Sequence, residues 1–360
     1  MKFIRAGACA LALMTLFVSA PGAAFAGSTV VSLTFAGTAR SSILHVPANY
    51  SDGTAYPLIL VLHAMNETAA QMENVTEFDA MGDSDNFFVA YPESVGSQWV
   101  TTGTTNDVQF SVALLQTIEA SYHIDPTRVY VAGYSQGARL AQQIAFCNPT
   151  LVAGVGDVAE DLDSTWQSTC KLATPISYVL FHGTADPFSP YNGRSVFGLT
   201  TYSAMQTATN WAQVDGCANG ANPSSSTYPD ALNSGVKITD TLYTWNGCSS
   251  GTTVAFYSIP SGGHTWPGGL QTKVPPTTMG PTSMNTNASQ IMWQTFSPQR
   301  SAAAFAGACG SASGVATASA PASGLCQTGL ASAVRSGSLW TWTCSGYNGG
   351  AGASCSAPTH

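Results

Sequence analysis

The feature that most constrains how this chain can fold is a junction. The strand-like run Arg128-Val129-Tyr130-Val131-Ala132 passes through Gly133-Tyr134-Ser135-Gln136-Gly137 into a helical pattern with apolar positions at Ala138, Ala141, Ile144 and Ala145. A strand that gives way at once to a helix leads to a parallel neighbour by a right-handed crossover. Residues 28–300 repeat that theme. Continuous apolar runs at 58–62 and 87–91 predict strands buried on both faces, and 176–181 reads as a further buried strand. A further strand is expected at 253–259, and helical spacing predicts helices at 107–121, 201–213 and 287–296. Residues 29–35 and 41–46 read as an opening antiparallel pair. The expected fold class is α/β, with a mainly parallel, doubly wound sheet covered by helices on both faces.

Charge excludes some functions. The chain has 11 Lys+Arg against 19 Asp+Glu and only 8% charged residues, with no basic cluster to neutralise phosphates, so nucleic acid is not an expected partner. At the N-terminus, Lys2 and Arg5 precede an uncharged apolar stretch at 6–20 and then Ala24-Phe25-Ala26. This is the pattern of an export signal cleaved before Gly27, and the apolar stretch is short for a membrane span of about 20 residues. We therefore expect a secreted mature protein with no membrane partner. Past the leader, eight cysteines remain: Cys147, Cys170, Cys217, Cys248, Cys309, Cys326, Cys344 and Cys355. An even number in an exported chain points to disulfides, and no metal-binding Cys/His spacing stands outside them, so neither metal nor cofactor is expected.

The expected organisation is a signal peptide (1–26), a catalytic domain (27–300) and a small module (301–360). The last segment holds four cysteines and a single charged residue, Arg335. A segment so short and poor in aliphatics needs disulfides to hold a core. Three pairings of its cysteines are open. Strand alternation puts Trp340, Trp342 and Cys344 on one face, either as a mini-core or as an aromatic shelf that adsorbs to a polymer surface.

The chemistry centres on Ser135. Gly133-Tyr134-Ser135-Gln136-Gly137 matches G-x-S-x-G, and here it has the strand before and the helix after that the motif requires. Such a turn lifts the serine hydroxyl above the sheet edge, next to the positive end of a helix. A serine needs a base, and after Ser135 only His182, His264 and His360 remain. His264 lies in Gly262-Gly263-His264-Thr265-Trp266-Pro267-Gly268, a loop after a strand, and fits the order serine, acid, histidine. His182 closes a buried strand and reads as structural. Asp186, in the loop following that strand, is the expected carboxylate. Asp157, Glu160, Asp161 and Asp163 read instead as a solvated acidic cluster. The expected oxyanion donors are the amides of Gln136 and Met65, with Ala64 second. Trp99, Trp266, Tyr134 and His63 are the candidate substrate contacts.

Together these residues resemble the secreted esterases that include polyhydroxybutyrate depolymerases and bacterial feruloyl esterases. The likeness rests on Tyr91-Pro92-Glu93 with Trp99, Ile124-Asp125-Pro126-Thr127-Arg128-Val129-Tyr130, Leu180-Phe181-His182-Gly183-Thr184-Ala185-Asp186 and the histidine loop. The family's His-Gly pair is here His63-Ala64. The resemblance implies an α/β-hydrolase fold, a metal-free Ser-His-Asp mechanism, and disulfides Cys217–Cys248 and Cys147–Cys170. The tail resembles a cysteine-bearing repeat found at the C-terminus of diverse bacterial secreted proteins. Its likeness rests on Ala320-Pro321, Leu325-Cys326, the Trp340–Cys344 stretch, Asn348-Gly349-Gly350 and Cys355. The expected function is hydrolysis of a polymeric ester, polyhydroxyalkanoate first. Feruloyl, acetylxylan or cutinase-like esters come next, then a peptidase or acyltransferase using the same triad. A non-catalytic surface-binding protein is the reading from another class.

Overall fold

The computed structural model describes residues 27–360 apart from 52, 101–105, 166–169, 171–173, 197, 219–223, 232–236, 271–275, 303, 347–349 and 360. The leader, Asn348-Gly349 and His360 lie outside the described residues.

An antiparallel hairpin opens the fold: β1 (Gly27–Phe35) and β2 (Thr38–Val46). Then come β3 (Tyr56–Leu62), α1 (Ala69–Thr76), α2 (Phe78–Asp85), β4 (Phe88–Pro92), α3 (Asn106–Ser121), β5 (Ile124–Tyr134), α4 (Gln136–Cys147), β6 (Gly154–Val158) and β7 (Ser177–Gly183). A two-strand excursion, β8 (Ser195–Val196) with β9 (Leu199–Thr200), leads to α5 (Ala204–Val214). β10 (Ser224–Ala231), β11 (Lys237–Trp245), β12 (Val254–Ile259), the single turn α6 (Pro276–Met279) and α7 (Ala288–Phe296) complete this part.

The ten-stranded sheet has the order β1-β2-β4-β3-β5-β6-β7-β12-β11-β10. Its six central strands, β4 to β12 in that order, are parallel, and antiparallel strands close both edges. This is the α/β-hydrolase arrangement. The apolar run of β3 shows how both faces are filled. Leu58, Leu60 and Leu62 pack with α3, α4 and α5, whereas Ile59 and Val61 pack with α1, α2 and α7.

β6 is the central strand that hydrophobic runs do not announce. Its sequence is Gly154-Val155-Gly156-Asp157-Val158, with two glycines and a carboxylate. The glycines are there for α7. A Cβ on Gly154 would stand 2.5 Å from the Phe296 ring, and one on Gly156 2.5 Å from the Met292 sulfur. Close helix-on-sheet packing has replaced the usual branched side chains.

The tail forms two small sheets, β13 (Ala308–Cys309) with β14 (Cys326–Thr328), and β15 (Leu330–Ala331), β16 (Leu339–Ser345) and β17 (Ala353–Pro358). Of the three open pairings it has Cys309–Cys355 and Cys326–Cys344. Cys147–Cys170 and Cys217–Cys248 are bridged in the larger part. Trp342 is buried among the cysteines, and its indole donates to the Leu325 carbonyl at 2.7 Å. Trp340, on the same face, is partly buried and donates to the Thr317 carbonyl at 3.2 Å. The aromatic pair therefore packs into the mini-core, the first of the two readings, because a module this small has little else to bury.

Candidate active site

β3, β4, β5, β6, β7 and β12 all end on one edge of the sheet, where α/β proteins gather their ligand-facing groups. Ser135 sits there, between the last residue of β5 and the first of α4, with φ 55° and ψ −120°. A non-glycine residue in such a conformation costs about 1–3 kcal/mol and persists only where its surroundings impose it. They do. The Ser135 amide donates to the Val158 carbonyl at 2.8 Å, and its carbonyl accepts from Ala138 and Arg139. Both glycines of the pentapeptide are needed for the close approach. A Cβ on Gly133 would lie 2.3 Å from the Gly137 backbone, and one on Gly137 2.3 Å from the Leu62 carbonyl oxygen.

The loops after β7 and β12 are bound to each other. Ala185 donates to the Gly262 carbonyl at 2.9 Å, and a Cβ on Gly183 would fall 2.3 Å from that same oxygen. Across this seam Asp186 Oδ2 accepts from His264 Nδ1 at 2.7 Å, both side chains being buried. Asp186 Oδ1 accepts from the amides of Phe188 and Ser189, each at 2.8 Å, which fixes the carboxylate plane. A proton held on Nδ1 leaves Nε2 with its lone pair, the form a general base needs. Tyr134 ties this assembly to the elbow. Its hydroxyl donates to the His264 carbonyl at 2.5 Å, so residue 264 is anchored to the neighbour of Ser135. Among the described residues neither Ser135 Oγ nor His264 Nε2 has a protein hydrogen-bond partner.

The two amides expected as oxyanion donors belong to Gln136 and Met65. That of Gln136 lies in the first turn of α4, outside the helix ladder. That of Met65 lies between two engaged amides: Ala64 N–H faces Glu67 Oε2 at 3.4 Å and Asn66 N–H donates to the Ser97 carbonyl at 2.8 Å. The Gln136 side chain grips the backbone of Trp99 at both ends, accepting from its amide at 2.9 Å and donating to its carbonyl at 3.1 Å. This fixes the loop after β4 to the elbow.

The expected substrate contacts need correction. Trp99, Trp266, Tyr134 and His63 are all buried, with their polar atoms used internally. Trp266 donates to Ser289 Oγ, and Trp99 to the His63 carbonyl. His63 Nδ1 donates to the Ala64 carbonyl at 2.7 Å, and Nε2 accepts from the Ser94 amide at 3.2 Å. Burial lowers its pKa, consistent with a neutral ring bracing the loop. These side chains shape the site from behind. The aromatic that does face outward is Phe188, 50% exposed, with its ring centroid 5.4 Å from that of His264 in an edge-on contact. It lies two residues beyond Asp186, and that adjacency was the available sequence signal.

The acidic stretch is corrected too. Asp157, Glu160 and Asp161 are buried rather than solvated, while Asp163 is partly exposed. Asp157 accepts from the Tyr178 hydroxyl at 2.8 Å, and burial pushes its pKa well above the carboxylate range. Glu160 pairs with Arg139 of α4 at 3.0 Å and with Arg194 at 2.9 Å.

Residues 40–164 match the family described as esterase PHB depolymerase. The chain is 28% identical over 264 residues to the putative esterase NocK of Nocardia uniformis subsp. tsuyamanensis, covering 68% of this chain and 75% of that protein. It is 25% identical over 239 residues to feruloyl esterase B of Piromyces equi, covering 62% of this chain and 42% of that protein. It thus spans three-quarters of the first relative and under half of the second. Among solved structures, the acetyl xylan esterase from Aspergillus awamori aligns over 66% of this chain and 94% of its own, with 17% identity and a TM-score of 0.48.

Proposed function

We propose that this chain, whose residues 40–164 match the esterase PHB depolymerase family, is a carboxylic ester hydrolase that works through Ser135, His264 and Asp186. Ser135 Oγ attacks the ester carbonyl as His264 Nε2 takes its proton. Asp186 holds the imidazole in the required tautomer and balances the imidazolium that forms. The amides of Gln136 and Met65 stabilise the tetrahedral oxyanion. The proton passes to the leaving alkoxide, and water activated by His264 then frees the acid. The observation that carries this reading is the 2.7 Å Asp186–His264 contact on the sheet edge where Ser135 occupies its strained turn.

The substrate we propose is a polyester of hydroxy acids. Met65, Val95, Val100 and Phe188 are exposed on the loops following β3, β4 and β7, at the same edge as Ser135. An apolar rim of this kind suits a water-insoluble chain. The second reading, a hydroxycinnamoyl ester on a polysaccharide, is favoured by the aromatic face of Phe188 beside His264 and by the feruloyl esterase relative. The expected result is clearing of a polyhydroxybutyrate suspension with little ferulate released from arabinoxylan. The reverse outcome selects the second reading. Four disulfides support action in an oxidising, extracytoplasmic compartment.

We also propose that residues 301–360 form a separate module. Deleting 305–360 should leave p-nitrophenyl butyrate turnover unchanged, since the proposed catalytic side chains all precede this segment. Loss of turnover in that truncation would show that the two parts fold as one.

A further inference from the structure

We propose that His182 is an imidazolium that positions the Asp186 loop, bridging it to Asp161 on the neighbouring loop. The inference rests on the proposed triad and deepens it. His182 is the penultimate residue of β7 and is buried. Its Nδ1 lies 3.1 Å from Asp161 Oδ1, and its Nε2 lies 2.9 Å from the Ser189 carbonyl and 3.6 Å from Asp186 Oδ2. A carbonyl oxygen only accepts, so Nε2 must carry a proton. With Asp161 ionised, Nδ1 must carry one as well. Either neutral tautomer would set a nitrogen lone pair against an oxygen lone pair, at Asp161 or at Ser189.

The charges around the ring favour the cation. Glu160, Asp161 and Asp186 are three buried carboxylates, and the arginines beside them, Arg139 and Arg194, both pair with Glu160. Asp161 Oδ2 is buried with no partner among the described residues, so His182 is the compensation Asp161 has. A buried anion left without a cation would cost several kcal/mol. Among the described residues, the other groups around the ring are uncharged or already engaged. Tyr191 meets the ring edge-on at 5.6 Å and bonds to Ser258, which lies opposite His182 on β12. Asp157 on β6 is engaged by Tyr178. On the far side of Asp186 lies His264. Burial by itself would lower the His182 pKa, but Asp161 and then Asp186 overcome it and raise it to about 9.

The bridge explains how Asp186 stays aimed. Ser189 gives its amide to Asp186 Oδ1 and its carbonyl to His182, so the turn 186–189 is held from both sides. Deprotonating His182 breaks either its hold on Ser189 or its bond to Asp161.

The test is the pH dependence of p-nitrophenyl butyrate hydrolysis in wild type, His182→Gln and Asp161→Asn, with the nitrogen NMR signals of 15N-histidine-labelled protein. We expect both His182 ring nitrogens protonated at pH 7, and an alkaline fall in kcat near pH 9. Asp161→Asn keeps the shape but removes the charge, and should move that fall down by at least about one pH unit. His182→Gln should lose about tenfold to a hundredfold in kcat with little change in KM, since a misplaced catalytic group can cost 10²-fold, and should lack that alkaline fall. One protonated nitrogen at pH 7, or an alkaline fall that stays put in Asp161→Asn, overturns the proposal. So does undiminished kcat in His182→Gln. Ser135→Ala, measured alongside, reports on the triad alone. Full turnover there would sink the triad, while the nitrogen signals would still decide the charge on His182.

Discussion

Replacing Ser135 with alanine is expected to lower kcat for p-nitrophenyl butyrate by roughly 10⁵-fold or more, leaving only the residual catalysis that binding and oxyanion donors supply once a serine nucleophile is gone. The protein should stay folded. The bonds that hold residue 135 in its turn, to Val158, Ala138 and Arg139, are made by its backbone, and alanine keeps them. Alanine also meets nearly the same strain as serine at φ 55°. A melting temperature close to wild type, together with lost turnover, therefore isolates the hydroxyl. The same variant discriminates between classes of function. A surface-binding protein would hold polymer equally well before and after the change and would never have turned over the small ester. Undiminished turnover in Ser135→Ala would place the chemistry elsewhere in the molecule.

What could be read before folding depended on which physical signal each residue carries. Strands with runs of large apolar side chains, such as β3 and β7, announce burial on both faces. β6 does not, because its Gly154 and Gly156 are selected by the closeness of Phe296 and Met292, a contact nearly 140 residues away in sequence. The pentapeptide around Ser135 was legible for a local reason: strand, turn and helix are contiguous, and both glycines are required by sterics within and beside that unit. Chain order pointed to Asp186 and His264, whose side chains meet at 2.7 Å. The substrate side was less legible. Aromatic residues near a catalytic motif look like binding groups in one dimension. Trp99 and Trp266 instead brace the loops from below, and the face that opens to solvent belongs to Phe188. The acidic run after β6 misled in the same manner. Its charges are compensated by Arg139, Arg194 and His182, partners from three different segments that no local pattern reveals.

Asp186→Asn is the second large effect, and its geometry separates orientation from scaffolding. Asparagine keeps a side-chain oxygen to accept the amides of Phe188 and Ser189, so the turn 186–189 should persist. What changes is the atom facing His264. At the Oδ2 position, 2.7 Å from Nδ1, a donor NH₂ replaces an acceptor oxygen. The imidazole can satisfy that contact only by accepting at Nδ1, which moves its proton to Nε2. It is then neutral but in the wrong tautomer, with no lone pair to take the Ser135 proton. The expected loss is about 10⁴-fold in kcat, equivalent to about 5 kcal/mol of transition-state stabilisation, with KM little changed. Asp186→Ala should lose comparable activity and also melt earlier, because it drops both amide contacts. Activity lost in both variants, but stability lost only in the alanine one, is the pattern of a carboxylate acting through the histidine. If Asp186→Asn retained activity within about tenfold of wild type, the orienting role would pass from Asp186. The nearby Asp161 could not inherit it in this arrangement, since the ring of His182 occupies its one hydrogen-bonded oxygen and stands between it and the loop that carries Asp186.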